Sequence, residues 1–182
     1  KCVASIRKQS QIPIVLYIYF NLMHKPGLGN FISEAAEAGV DGLLALDLPP
    51  EEADKYEGLM REAGLCSIWL VAPTTPEQRV KEIVNRGSGF IYYISREGVT
   101  GMQQNVSASI ADMTGIIRSQ TDLSIAVGFG ISNPDQARRV ADCSDAIVVG
   151  SAIVNQVAEH GDSPEMPKRV AGYVKTLVEA IK

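Results

Sequence analysis

The chain is poor in the residues that most often carry chemistry or crosslinks. Its 182 residues include two histidines, three cysteines and one tryptophan. His24 and His160 have no partner at ligand spacing and read as surface residues. Cys2, Cys66 and Cys143 form no C-x-x-C pair, so neither a metal site nor a disulfide framework is expected. Scattered thiols fit a reducing, cytoplasmic setting. The net charge is −4 with signs interleaved and no basic stripe, so no nucleic acid partner is expected. No apolar stretch approaches the roughly 20 residues that span a bilayer, and no membrane association is expected. The chain opens on Lys1, without a methionine, and on a helical Val3–Lys8 with nothing like a signal peptide, so a processed or truncated start is expected.

What the sequence does have is a regular alternation. Six apolar runs read as buried parallel strands: Ile12–Phe20, Gly42–Leu48, Cys66–Ala72, Gly89–Ser95, Ser124–Gly130 and Ala146–Ser151. Amphipathic stretches lie between them. Pro50-Glu51-Glu52 reads as a first helical turn, while Thr75-Pro76, Asn133-Pro134 and Ser163-Pro164 each put a capping side chain before a proline. A helix is also expected from near Val106. No linker or composition shift interrupts the series, so residues 1–182 are expected to form a single α/β domain.

A (β/α)8 barrel needs eight units and about 250 residues. Two further βα units of roughly 30 or more residues each would make up the difference. The opening helix has no strand before it, which places the missing units upstream. An open doubly wound sheet is the competing fold, since six parallel strands can form one alone. Two glycine motifs favour the barrel. Ser124–Val127 runs into Gly128-Phe129-Gly130, and Ala146–Val149 runs into Gly150-Ser151. Glycines at strand ends let the backbone approach a ligand and present N–H donors, and barrels commonly bind phosphate after their last two strands. Either motif alone could simply ease a tight turn.

Barrel chemistry belongs at the strand exits. Those exits hold Asn21, Asp47, Pro73-Thr74, Ser95-Arg96, the Gly128 turn and Gly150-Ser151. They offer no lysine for a Schiff base and no histidine beside a serine or cysteine. Asp47 is the one carboxylate, and proton removal and delivery usually use two groups. Asp47 equally suits a loop-bracing role ahead of Pro49-Pro50. The stretch Arg96–Gln103 holds two glycines and reads as a lid or as an ordinary surface loop. Tyr92 shares a strand face with Ile94, as Tyr17 does with Tyr19, so these aromatics read either as core or as the lining of a pocket for a flat ring.

In combination these segments resemble the tryptophan synthase α subunit family. Tyr92–Gly101 is similar to the family's sixth strand and mobile loop, Val127–Ser132 to its seventh-strand turn and Val149–Val154 to its eighth. Leu46-Asp47-Leu48-Pro49 and Ile12-Pro13-Ile14 fall in the matching order. The resemblance implies a TIM barrel of which this chain supplies strands three to eight. It implies retro-aldol cleavage of indole-3-glycerol phosphate to indole and glyceraldehyde 3-phosphate. It also implies a β-subunit partner in an α2β2 assembly, with pyridoxal phosphate in that partner and no cofactor here.

Carried over, Gly101, Gly128, Phe129, Gly130, Gly150 and Ser151 would bind phosphate. Tyr17, Tyr19, Leu46, Leu70, Tyr92 and Phe129 would surround the indole. Thr100 would act in lid closure with Arg96 at the lid's base, and Asp47 would steady its loop. The family's acid/base glutamate and its catalytic aspartate would both lie upstream of Lys1, as would its first-strand pocket aromatic. No residue here takes their place, so the 182 residues alone are expected to be inactive. Tyr17 stands where an aliphatic residue is commoner. Two other readings stay open: a non-catalytic protein binding a phosphorylated ligand or the β subunit, and another phosphate-binding barrel enzyme such as a phosphoribosyl isomerase.

Overall fold

The computed structural model describes residues 1–95 and 103–182, leaving aside the side chains of 103–107. It comprises two compact units, Lys1–Val71 with Pro76–Ile91, and Ala72–Thr75 with Tyr92–Lys182.

The first unit opens on α1 (Cys2–Arg7) and continues through β1 (Val15–Ile18), α2 (Phe20–His24), α3 (Leu28–Ala38) and β2 (Gly42–Ala45). A 3₁₀ turn at Pro50–Glu52 leads to α4 (Asp54–Glu62), β3 (Cys66–Ser67), β4 (Trp69–Val71) and α5 (Glu77–Arg86). Strands β1, β2 and β3 lie side by side and parallel, with Val15 beside Gly42 and Gly42 beside Cys66. Strand β4 is hydrogen-bonded to β5 (Phe90–Ile94), whose first two residues belong to this unit.

A central parallel strand is covered on both faces, and β2 shows it: Leu43 is 0% exposed and Leu44 is 3% exposed. Each such leucine contributes about 1.5–3 kcal/mol by leaving water. Met23, Ile32, Met60 and Val80 extend this core. Tyr56 joins it by donating its phenolic hydrogen to the Leu43 carbonyl at 3.2 Å, and burial pushes its pKa up.

All six expected runs are trimmed at their ends, and in two of them hydrogen bonds account for the difference. The first is shorter than Ile12–Phe20. Ile14 N–H donates to the Asp41 carboxylate at 2.6 Å, and Phe20 N–H donates to Asp47 Oδ1 at 2.6 Å, which turns the chain into α2. The third, expected over Cys66–Ala72, is divided at Ile68. Its first half pairs with β2, where Ile68 N–H donates to the Leu43 carbonyl at 2.9 Å, and its second half pairs with β5. Seven strands therefore stand among the described residues where six were read.

The second unit contains the rest of β5, α6 (Gln103–Arg118), β6 (Ser124–Gly128), α7 (Pro134–Ala141), β7 (Ala146–Val148), α8 (Ser151–His160) and α9 (Met166–Ala180). Its strands lie in the order β5-β6-β7, and β6 runs parallel to β7 with Gly128 beside Val148. Tyr93, Ile125, Val127 and Ile131 are at most 1% exposed and form its centre with Val140 and Leu177.

Both units brace a strand entrance in the same way. Arg7 on α1 pairs with Asp41, whose carboxylate takes Ile14 N–H. Arg118 on α6 pairs with Asp145, whose carboxylate takes Ile125 N–H at 2.8 Å. In each case an arginine seven residues before the strand residue meets the aspartate that precedes the next strand.

Helix starts follow the sequence unevenly. Asn133 caps α7 by accepting Gln136 N–H at 3.0 Å, as the motif predicts. Thr75 instead accepts Ala72 N–H at 3.0 Å, and α5 begins at Glu77 without a side-chain cap. Ser163 closes a turn onto Glu165 N–H, so α9 starts only at Met166. The helix expected from near Val106 already begins at Gln103. Among the described residues no helix is long and apolar enough to cross a membrane.

Candidate functional site

In the second unit, three neighbouring strands carry Tyr92, Gly128 and the approach to Gly150. The end of β6 is pinned: Ser95 N–H donates to the Gly128 carbonyl at 2.9 Å. Gly128 is buried, and a Cβ placed on it would stand 2.8 Å from Tyr92 Cε2 and 2.9 Å from Cζ. Its lack of a side chain is therefore the socket in which the Tyr92 ring sits. Gly130 is a different case. Its φ is +68°, in the left-handed region that favours glycine, and beyond its chain neighbours no atom of the described residues lies within 4 Å of where a Cβ would be. Phe129 between them is half-buried.

Gly150 is the N-cap of α8, also with open space around a notional Cβ among the described residues, and Ser151 opens the first turn. Its carbonyl takes Ile153 N–H at 2.9 Å and Val154 N–H at 3.2 Å, which starts the helix. The first N–H groups of a helix have no partner within it and sit at the positive end of its dipole, so they attract anions. A glycine turn and a helix N-terminus thus follow two adjacent parallel strands.

The first unit gathers Tyr17, Tyr19, Leu46 and Asp47 where β1 and β2 end. Leu46 N–H donates to the Ile18 carbonyl at 3.0 Å, keeping these ends in step. Tyr17 is 55% exposed and Tyr19 57% exposed. Partial burial, and then the neighbouring Tyr19, raise the Tyr17 pKa, so the Tyr17 hydroxyl stays neutral at physiological pH. Tyr19 lies just past β1 as the N-cap of α2, not within the strand. Asp47 is exposed and accepts Phe20 N–H, the first donor of α2. Its carboxylate is thereby held as a structural acceptor. Leu70 is half-buried between the buried Trp69 and Val71 of β4, on the opposite strand face. Arg96, Thr100 and Gly101 lie outside the described residues.

Three described clefts contain none of these residues, and two of them are the larger. One of about 420 Å³ in the first unit is lined by Phe20, His24, Gly27, Leu28, Glu52, Lys55 and Tyr56. One of about 380 Å³ surrounds the end of α8 at His160. Among the described residues no group of three metal-ligating side chains occurs.

Sequence reading missed the supports of the Gly128 turn. Gln136 Oε1 accepts both the N–H of Ser132 at 2.8 Å and its hydroxyl at 3.1 Å. The Asn133-x-x-Gln136 spacing signals this, since it is a capping-box pattern whose return bond is displaced by one residue. Tyr173 on α9 donates to the Ser132 carbonyl at 3.0 Å, and no sequence signal connects residues so far apart. Ser95 Oγ and Trp69 Nε1 are buried with no hydrogen-bond partner among the described residues.

Parallel βα units with glycine turns after their last two strands define an α/β protein built from repeated βα units. The family model for the tryptophan synthase alpha chain matches residues 1–182. A tryptophan synthase alpha chain from Opitutus terrae is 47% identical over 183 residues, covering 100% of this chain and 69% of that protein. One from Geotalea uraniireducens is 43% identical, covering 99% and 67%. The crystal structure of the alpha chain from Legionella pneumophila subsp. pneumophila superposes with a TM-score of 0.87 at 32% identity, over 98% of this chain and 66% of that one. A structure described as the tryptophan synthase a2b2 complex from Pyrococcus furiosus gives 0.87 at 32%, over 97% and 71%. The chain belongs to the tryptophan synthase alpha chain family, a family of lyases. It spans about two thirds of the length of the relatives it matches.

Proposed function

We propose that the protein acts as the α subunit of a tryptophan synthase, splitting indole-3-glycerol phosphate into indole and glyceraldehyde 3-phosphate. The observation that carries this reading is the whole-chain family match. Beside it stand two open glycine positions, at Gly130 and Gly150, after adjacent strands. In this reading the six βα units correspond to strands three to eight of an eight-unit barrel.

Phosphate is held by main-chain donors at Gly128, Phe129, Gly130, Gly150 and Ser151, with Gly101 completing the cradle. Tyr17, Tyr19, Leu46, Leu70, Tyr92 and Phe129 surround the indole, while Arg96 and Thr100 serve the lid. Cleavage breaks the bond between indole C3 and the glycerol chain. A base removes the proton of the adjacent glycerol hydroxyl as its carbon becomes the aldehyde, and an acid protonates the indole ring at C3. Asp47 braces its loop in this reading, its Oδ1 accepting the Phe20 N–H, and takes neither role. The acid/base glutamate and aspartate of the family are supplied from outside these 182 residues.

The chemistry needs no cofactor in this subunit. We further propose that a β subunit carrying pyridoxal phosphate is the partner and that the setting is cytoplasmic, in keeping with three cysteines that form no disulfide. Adding indole-3-glycerol phosphate to the full-length protein should release indole, and a β subunit should raise the rate. An absence of indole under both conditions would overturn the reading.

A further inference from the structure

We propose that Tyr173 of α9 is a positioning residue for the phosphate-binding turn after β6. The inference rests on the phosphate assignment made above. The turn Phe129-Gly130-Ile131 hangs between two fixed points. Upstream, Ser95 N–H holds the Gly128 carbonyl at 2.9 Å. Downstream, Ser132 is gripped from two helices: Gln136 of α7 takes its N–H and hydroxyl, and Tyr173 of α9 donates to its carbonyl at 3.0 Å.

The tyrosine bond reaches across 41 residues, so it fixes the Ser132–Asn133 peptide plane from outside the local turn. Gly130, two residues earlier, adopts φ +68° with open space around it. A glycine with that freedom presents its N–H in one direction only if the flanking peptides are held. Ile131, 1% exposed, anchors one flank in the core, and the Ser132 carbonyl completes the other.

Helix α9 is well placed to do this. It packs against α7, which follows the Gly128 turn, and against α8, which opens at Gly150-Ser151. One helix therefore backs both halves of the cradle. Partial burial raises the Tyr173 pKa, which keeps the phenol a neutral donor.

Tyr173→Phe removes the donor and leaves the ring. The full-length protein would be titrated with inorganic phosphate and with glycerol 3-phosphate, well below its melting temperature, following the amide signals of Gly130 and Ser151. Loss of one hydrogen bond should weaken binding about two- to tenfold with little change in Tm. Leu177→Ala, a buried position on the same helix, should lower Tm but leave phosphate affinity intact. Wild-type affinity in Tyr173→Phe, with or without a fall in Tm, would overturn the positioning role while the phosphate site stands. If phosphate moves neither amide in the wild-type protein, the phosphate assignment falls and this inference with it.

Discussion

Gly128→Ala is the substitution whose consequence the structure specifies most closely. The added methyl would stand 2.8–2.9 Å from two ring carbons of Tyr92, and the phenol oxygen crowds it further. Real Cβ atoms do not approach side chains so closely, so something must move. Gly128 cannot easily do so: its carbonyl is held by Ser95 N–H, and its residue is in register with Val148. The Tyr92 ring must therefore leave its seat. Overpacking of this kind costs about 1–3 kcal/mol, which for a chain of this size lowers Tm by about 2–12 °C.

A double-mutant cycle tests the cause. Tyr92→Phe removes only the oxygen and should relieve the clash in part, whereas Tyr92→Ala should relieve it almost fully. The coupling between Gly128→Ala and Tyr92→Ala should then be about 1–3 kcal/mol, read from urea melts of the four proteins. Strict additivity would refute the socket argument and return Gly128 to the role of a ligand-approach glycine.

Three further outcomes follow from the same geometry. Gly130→Val puts a branched side chain at φ +68° and into the open space before the cradle, so glycerol 3-phosphate should lose most of its affinity in a calorimetric titration, with a stability loss of about 1–2 kcal/mol. Asp47→Ala removes the acceptor of Phe20 N–H and should cost about 0.5–2 kcal/mol in a denaturant melt, whereas a loss of bound phosphate would contradict its placement as a brace. The Asp145 pKa is lowered, first by the Ile125 N–H and also by Arg118, with burial opposing. Its contribution is present above the ordinary aspartate value near ~3.9 and disappears as pH falls through the lowered folded value, so Asp145→Asn should flatten the acid limb of a stability–pH curve.

The sequence discloses what depends on local pattern. Apolar runs of strand length identified every parallel strand region, because buried parallel strands need no alternation and helix-length spacers need no special residues. Asn133-Pro134 marked a helix start because cap and proline act within one turn. It could not disclose where a strand's partner changes. Nothing in Ser67-Ile68-Trp69 tells that β3 pairs with β2 while β4 pairs with β5, since that is set by neighbours far away in the chain.

The same limit applies to the site. Gly128 and Gly130 look alike in sequence, yet one seats a tyrosine and the other lies open. Thr75 and Ser163 carry the same cap-proline signal as Asn133, but local turns take their hydroxyls first. Asp47 suits two roles in the sequence, and only the fold brings the Phe20 N–H onto its Oδ1. Tyr173 was invisible because its partner lies in another element.

In the proposed reading these 182 residues bind the phosphate and indole ends of the substrate, and none of them is the base or the acid of the cleavage. The direct measurement is indole release from indole-3-glycerol phosphate by the purified 182-residue chain, beside the same chain extended by an N-terminal segment bearing the family's glutamate and aspartate. No turnover by the chain alone and restored release by the extended protein are the expected results. Measurable turnover by the 182 residues alone would contradict the reading and would make Asp47 the first residue to substitute.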